Sequence, residues 1–112
     1  MAPDPRMTQT TQAVLRALLD QPSKAMYGLE ICGRAELPSG TVHPILARLE
    51  KAGWLESFWE EIDPHRQGRP RRRYYTLSAD GAELARSALA RATESRAALR
   101  RLQPGLSPAG AL

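Results

Sequence analysis

Apolar residues recur at helical spacing through the first half of the chain and at alternate positions through part of the second. From Thr8 to Asp20, Val14, Leu15, Leu18 and Leu19 share one face, Thr8 or Thr10 can cap the start, and Pro22 stops the segment. A second helix is expected from about Met26 to Ala35, burying Met26, Leu29 and Ile31 or Cys32. Its glycines, Gly28 and Gly33, are poor helix formers and read as points of close helix packing. A turn at Leu37-Pro38 leads to a third helix, Ser39–Ala52, with Ser39 as N-cap and Val42, Ile45, Leu46 and Leu49 as its apolar stripe. Pro44 is tolerated there because it sits within about the first turn, and Gly53 ends the helix.

The period then falls to two. Trp54–Ile62 alternates around Leu55, Ser57 and Trp59, and Arg71–Leu77 around Tyr75 and Leu77. Asp63–Pro70 lies between them, which predicts a two-stranded antiparallel hairpin with a long basic tip. In it, Trp54 and Trp59 are expected to pack on the helices, Tyr75 to join the core and Tyr74 to form a partly exposed platform. Ser78 caps a final helix from Ala79 to about Leu102, and at ~1.5 Å per residue this extends about 36 Å, longer than so small a domain needs. Its apolar positions, Ala82, Ala85, Leu89, Ala92, Leu99 and Leu102, approximate a three-four repeat. Four regions follow: a flexible lead-in (1–7), the domain proper (8–78), the long helix (79–103) and a disordered tail (104–112).

Composition narrows the function. At 112 residues the chain is one domain, with only two Trp, three Tyr and one Phe. No apolar run approaches the ~20 residues of a membrane span, and no signal-peptide stretch opens the chain, so a reducing cytoplasm is expected. Cys32 is the only cysteine and reads as a small core residue. His43 and His65 lie far apart with no carboxylate cluster suited to a metal, so neither metal nor cofactor is expected, and no nucleophile–base set suggests an enzyme. The net charge of +4 favours anionic partners.

The order of elements is that of a winged helix-turn-helix, an α+β but mostly α fold with three helices, a two-stranded wing and a long C-terminal dimerisation helix. In this architecture the third helix presents its start and polar face to a DNA major groove. Ser39, Gly40, Thr41, His43, Pro44, Ala47, Arg48 and Lys51 occupy that face. The wing is the sharper electrostatic signal: Arg66, Arg69, Arg71, Arg72 and Arg73, with Pro70 among them and no acid in the run. Guanidinium forks suit phosphates, and an Arg-Pro tip can enter a minor groove.

These residues resemble a family. Tyr27-Gly28, Ser39-Gly40-Thr41-Val42-His43-Pro44-Ile45-Leu46, Arg48-Leu49-Glu50, Gly53-Trp54-Leu55, Trp59-Glu60, Gly68-Arg69-Pro70, Tyr74-Tyr75 and Leu77-Ser78, followed by Gly81, are similar to the PadR-type transcriptional regulators, in their shorter subgroup with a single C-terminal helix. The resemblance spans about Thr10 to Ala92 and implies a homodimeric regulator, commonly a repressor, on an inverted repeat in double-stranded DNA. It implies that the Ser39–Ala52 helix reads the major groove, that Gly68-Arg69-Pro70 meets the neighbouring backbone or minor groove, that Tyr27 lies near the DNA backbone and that the last helix dimerises. His43 replaces the tyrosine usual at its position. Multidrug-binding relatives stack aromatic ligands on a tryptophan of the last helix; no aromatic residue follows Tyr75 here, and no effector is named. The dimer interface is expected to combine Ala85, Leu89, Ala92 and Leu99 with Leu15 or Leu18 of the first helix. The competing reading is a winged-helix protein–protein module whose basic wing meets an acidic partner.

Overall fold

Local sequence sets the helix ends in the computed structural model, which describes residues 4–102. The elements in order are α1 (Gln9–Asp20), β1 (Met26–Tyr27), α2 (Gly28–Ala35), α3 (Ser39–Lys51), β2 (Leu55–Trp59), α4 (Pro64–Gln67), β3 (Arg73–Leu77) and α5 (Ala79–Arg101). Thr8 caps α1 by accepting from the Thr11 amide at 3.2 Å, and Ser78 caps α5 by accepting from the Gly81 amide at 2.9 Å. Buried Gln12 donates to the Met7 carbonyl at 2.8 Å and accepts from Arg16 at 3.2 Å, so its amide is satisfied.

Three boundaries depart from expectation. Met26 and Tyr27 are extended, and they add a third strand to the hairpin, in the order β1-β3-β2. Because α2 therefore starts at Gly28, its inner face is set by Ile31 and Cys32; Leu29 lies on the far side, 69% exposed. In α3 the N-cap is Pro38, whose carbonyl accepts from the amides of Thr41 (3.0 Å) and Val42 (3.1 Å); Ser39 is the first helical residue and makes no capping bond. Pro44 is consequently the sixth residue, in the second turn, and the amide it lacks leaves the Gly40 carbonyl without its helical donor. Finally, the tip expected to be irregular contains the single-turn helix α4, capped by Asp63 accepting from the His65 amide at 3.0 Å.

One core joins these elements. It takes Val14, Leu15 and Leu18 from α1, Ile31 and Cys32 from α2, Val42, Ile45, Leu46 and Leu49 from α3, and Met26, Leu55, Tyr75 and Leu77 from the inner face of the sheet. Each fully buried leucine contributes about 1.5–3 kcal/mol relative to exposure. Trp54 is buried as expected, whereas Trp59, the last residue of β2, is 56% exposed and does not pack into the core.

The last helix does not stand apart at its start. Gly81, Ala85 and Ala88 of α5 are buried against the same core. The contact is close at Gly81: a Cβ there would overlap the Trp54 carbonyl oxygen and lie 2.7 Å from its carbon and 2.8 Å from Ser78 Oγ. Gly33, by contrast, faces open space, so only Gly28 of the α2 pair marks a close approach. The expectations for residues 1–3 of the lead-in and for the tail 104–112 lie outside the described residues.

Candidate nucleic-acid interface

The helix period places Val42, Ile45, Leu46 and Leu49 inward, and so turns the other side of α3 out. Ser39, Gly40, His43, Pro44, Ala47, Arg48 and Lys51 are exposed there, while Thr41 is half-buried. The His43 ring folds back along the helix. Its Nδ1 lies 3.0 Å from the Ser39 carbonyl, and since a carbonyl only accepts, Nδ1 carries the proton and donates. The ring edge lies against α2, where a Cβ on Gly28 would come within 2.9 Å of Nε2. Gly28 is thus small because His43 occupies the space beside it.

This contact joins the starts of α2 and α3 at a cleft of about 270 Å³, bounded by Tyr27, Gly28, Leu29, His43, Arg72, Arg73 and Tyr75. Tyr27 is positioned by pairing with Tyr74 across β1 and β3, and its amide donates to the Glu30 carboxylate at 3.4 Å. Strand alternation puts Tyr27, Tyr74 and Phe58 on the outer face, in register across three strands. Phe58 stacks on Tyr74 (5.8 Å, 13°), Tyr74 meets Tyr27 edge-on (5.6 Å, 66°), and the Arg72 guanidinium sits 4.4 Å over the Tyr27 ring. The platform expected of Tyr74 is a continuous aromatic row beside α3. The sequence reading did not single out Phe58, although the alternation of the two expected strands puts it on the same face as Tyr74; the missed strand concealed Tyr27's membership.

The wing arginines divide into two kinds. Arg69 forks onto Glu60 at 2.7 and 2.9 Å, and the Arg72 amide adds a bond to the same carboxylate at 3.2 Å. The Arg69 hydrogen bonds hold the Glu60 carboxyl at about 2, well below its ordinary 4.5. Arg73 donates to Ser57 Oγ at 2.7 Å and to Glu50 Oε2 at 3.4 Å, with its guanidinium 5.4 Å from the Trp59 ring. These two therefore hold the wing in shape and are not the free phosphate forks that the sequence suggests. Arg66 is almost fully exposed, 3.9 Å from Asp63, and Arg71 donates only to the Ile62 carbonyl, at 3.0 Å. Arg66 and Arg71, with exposed Pro70, form the outward cationic surface of the tip, while half-buried Arg72 lies over the Tyr27 ring beside the cleft.

The expected dimerisation residues also divide. Leu15, Leu18 and Ala85 are buried in the chain's own core and present no surface, because α1 and the start of α5 are already covered by neighbouring elements. Leu89 and Ala92 are half-buried and Leu99 is exposed, with exposed Leu102 continuing the line. Among the described residues no three His, Cys, Asp or Glu side chains gather as a metal site, and no helix is long and apolar enough to cross a membrane.

Residues 14–87 match the transcriptional regulator PadR-like family. Among curated proteins none matches. A PadR family transcription regulator of Clostridium difficile R20291 is 20% identical, with 85% of this chain aligned to 98% of that one at a TM-score of 0.65. A PadR family regulator of Eggerthella lenta is 21% identical over 84% of each chain, with a TM-score of 0.63. BpsR of Bordetella bronchiseptica, whose DNA binding is regulated by 6-hydroxynicotinic acid, is 24% identical over 96% of this chain and 73% of that one, with a TM-score of 0.65. These likenesses show the winged-helix fold.

Proposed function

The chain belongs to the PadR-like family of transcriptional regulators, and from that premise we propose that it is a cytoplasmic repressor that binds an inverted-repeat operator as a homodimer. The observation that carries this reading is the cleft at which His43 of α3, Tyr27 of the aromatic row and Arg72 of the wing come together, with the exposed face of α3 and the exposed Arg66 and Arg71 of the tip on the same chain. Each subunit inserts α3 into the major groove. Ser39, Gly40, Thr41, His43 and Pro44 meet bases or phosphates near the helix start, and Arg48 and Lys51 lie further along. Arg66, Arg71, Arg72 and Pro70 meet the flanking backbone, with Tyr27 between the two contacts. The Leu89, Ala92 and Leu99 line of α5 supports pairing with a second copy. Two-fold symmetry then separates the half-sites by ~10 bp or a multiple.

Selection of bound duplexes from a random library, at near-physiological salt, tests this directly. Enrichment of an inverted repeat, bound two chains per duplex, supports the reading. Recovery of unrelated sequences held only at low salt would move the function to a protein–protein module.

A further inference from the structure

Three side chains from three elements meet behind the DNA-facing surface. Ser57 in the middle of β2 donates its hydroxyl to Glu50 Oε2 of α3 at 2.6 Å and accepts from Arg73 Nη2 of β3 at 2.7 Å. Arg73 reaches the same Glu50 oxygen at 3.4 Å. A hydroxyl has one proton to give, so the bonds run in one direction, from Arg73 through Ser57 to Glu50. The same guanidinium lies 5.4 Å from the Trp59 ring.

We propose that the Glu50–Ser57–Arg73 bridge sets the angle between the recognition helix and the wing, and so determines which operator geometry the protein selects. The inference rests on the DNA-binding reading above. The short turn at Ala52–Trp54 ties α3 to β2 at one end, with the Trp54 amide donating to the Leu49 carbonyl at 2.9 Å. The shared core holds α3 against the inner face of the sheet, but apolar packing is non-directional, and the bridge adds a directional polar tie between Glu50, near the end of α3, and both wing strands. Glu50 and Arg73 are partly solvent-exposed (35% and 40%), and pairs of this kind add little to global stability. Constellations that read a partner, however, must be held within about 0.5 Å and 10–20°. Loss of the bridge is therefore expected in selectivity and not in folding.

The test uses the full chain, the duplex recovered by wild-type selection and a scrambled duplex of equal length. Ser57→Ala should keep the scrambled-duplex affinity and salt slope while lowering the operator-to-scrambled ratio on the order of tenfold, about the effect of one mismatched base pair. Ser57→Thr, which retains the hydroxyl, should restore the wild-type ratio, and tryptophan emission, which exposed Trp59 shares with buried Trp54, should shift in Ser57→Ala and not in Ser57→Thr. Glu50→Ala removes the acceptor instead and decides the matter by the same ratio if Ser57→Ala does not fold. A wild-type chain that selects an operator, with variants that retain its full ratio, overturns the bridge alone. A wild-type chain that prefers no duplex overturns the DNA-binding reading and the bridge with it.

Discussion

Replacing glycine by alanine should have opposite consequences at two helical positions, and Gly81→Ala is the stringent case. Ala is intrinsically favoured over Gly inside a helix by about 1 kcal/mol. At Gly81 that gain meets a wall: the added Cβ would overlap the Trp54 carbonyl oxygen and lie 2.7 Å from its carbon, about 0.8 Å inside an ordinary ~3.5 Å carbon–carbon contact. The wall is backbone, tied to the start of α5 by Ser78 N to Trp54 O at 3.0 Å and Ser78 Oγ to Gly53 O at 2.8 Å. Relief requires the first turn of α5 to withdraw, losing bonds worth ~1 kcal/mol each and adding ~1–3 kcal/mol of packing strain. After the helix-propensity gain, the net cost is about 2 kcal/mol, which lowers Tm by roughly 10 °C in a domain of this size. Thermal unfolding followed by circular dichroism, at one protein concentration, measures it. Gly33→Ala is the control: it is exposed with nothing within 4 Å and should raise Tm by a few degrees. A Gly81→Ala chain as stable as wild type would refute the close approach of α5 to Trp54.

Three further outcomes follow from the interface. Gly28→Ala presses only on the movable edge of His43, so Tm should change by a few degrees while the ring swings away from Ser39 and the selected bases change; an NMR structure of the variant with His43 unmoved would count against this. Arg66→Ala should lower the salt slope of DNA binding by about 0.9, the value for one phosphate contact. Arg69→Ala should lower it less, because Glu60 already neutralises that guanidinium; equal slopes would place Arg69 on the DNA. Glu60 has a depressed carboxyl pKa, so the stability it gains from Arg69 is fully present above about 4.5 and is lost as pH falls through about 2. The stability difference between wild type and Glu60→Gln should shrink over that window, and a Glu60 carboxyl titrating near 4.5 by NMR would show that the pair is not formed.

Most of the fold was legible where the determinants are local. Thr8, Ser78 and Gly53 mark helix ends through bonds or conformations within a turn, and the apolar stripe of α3 emerged residue for residue. β1 was not legible, since Met26 pairs with Tyr75 far along the chain and no neighbour distinguishes it from the start of a helix. Misplacing that start is what put Leu29 inside. The arginine run was plain, but its partners were not: Glu60, Glu61 and Asp63 all precede the run, and only the hairpin register, with Trp59 opposite Arg73, decides which of them Arg69 meets. Leu15 and Leu18 were assigned to an interface that the chain's own core had already claimed.

The pairing of Arg69 and Arg73 with acids bears on how the protein finds its site. Sequence-independent hold on DNA rises with the number of phosphates neutralised. A tip with all its guanidiniums free would dwell long on every stretch of chromosome it met. On the proposed DNA-binding reading, with two of them neutralised by acids of the wing and of α3, encounters with arbitrary sequence would be brief, and the molecule would scan by frequent release and recapture. Lingering would then be reserved for the duplex whose groove accepts α3 as well.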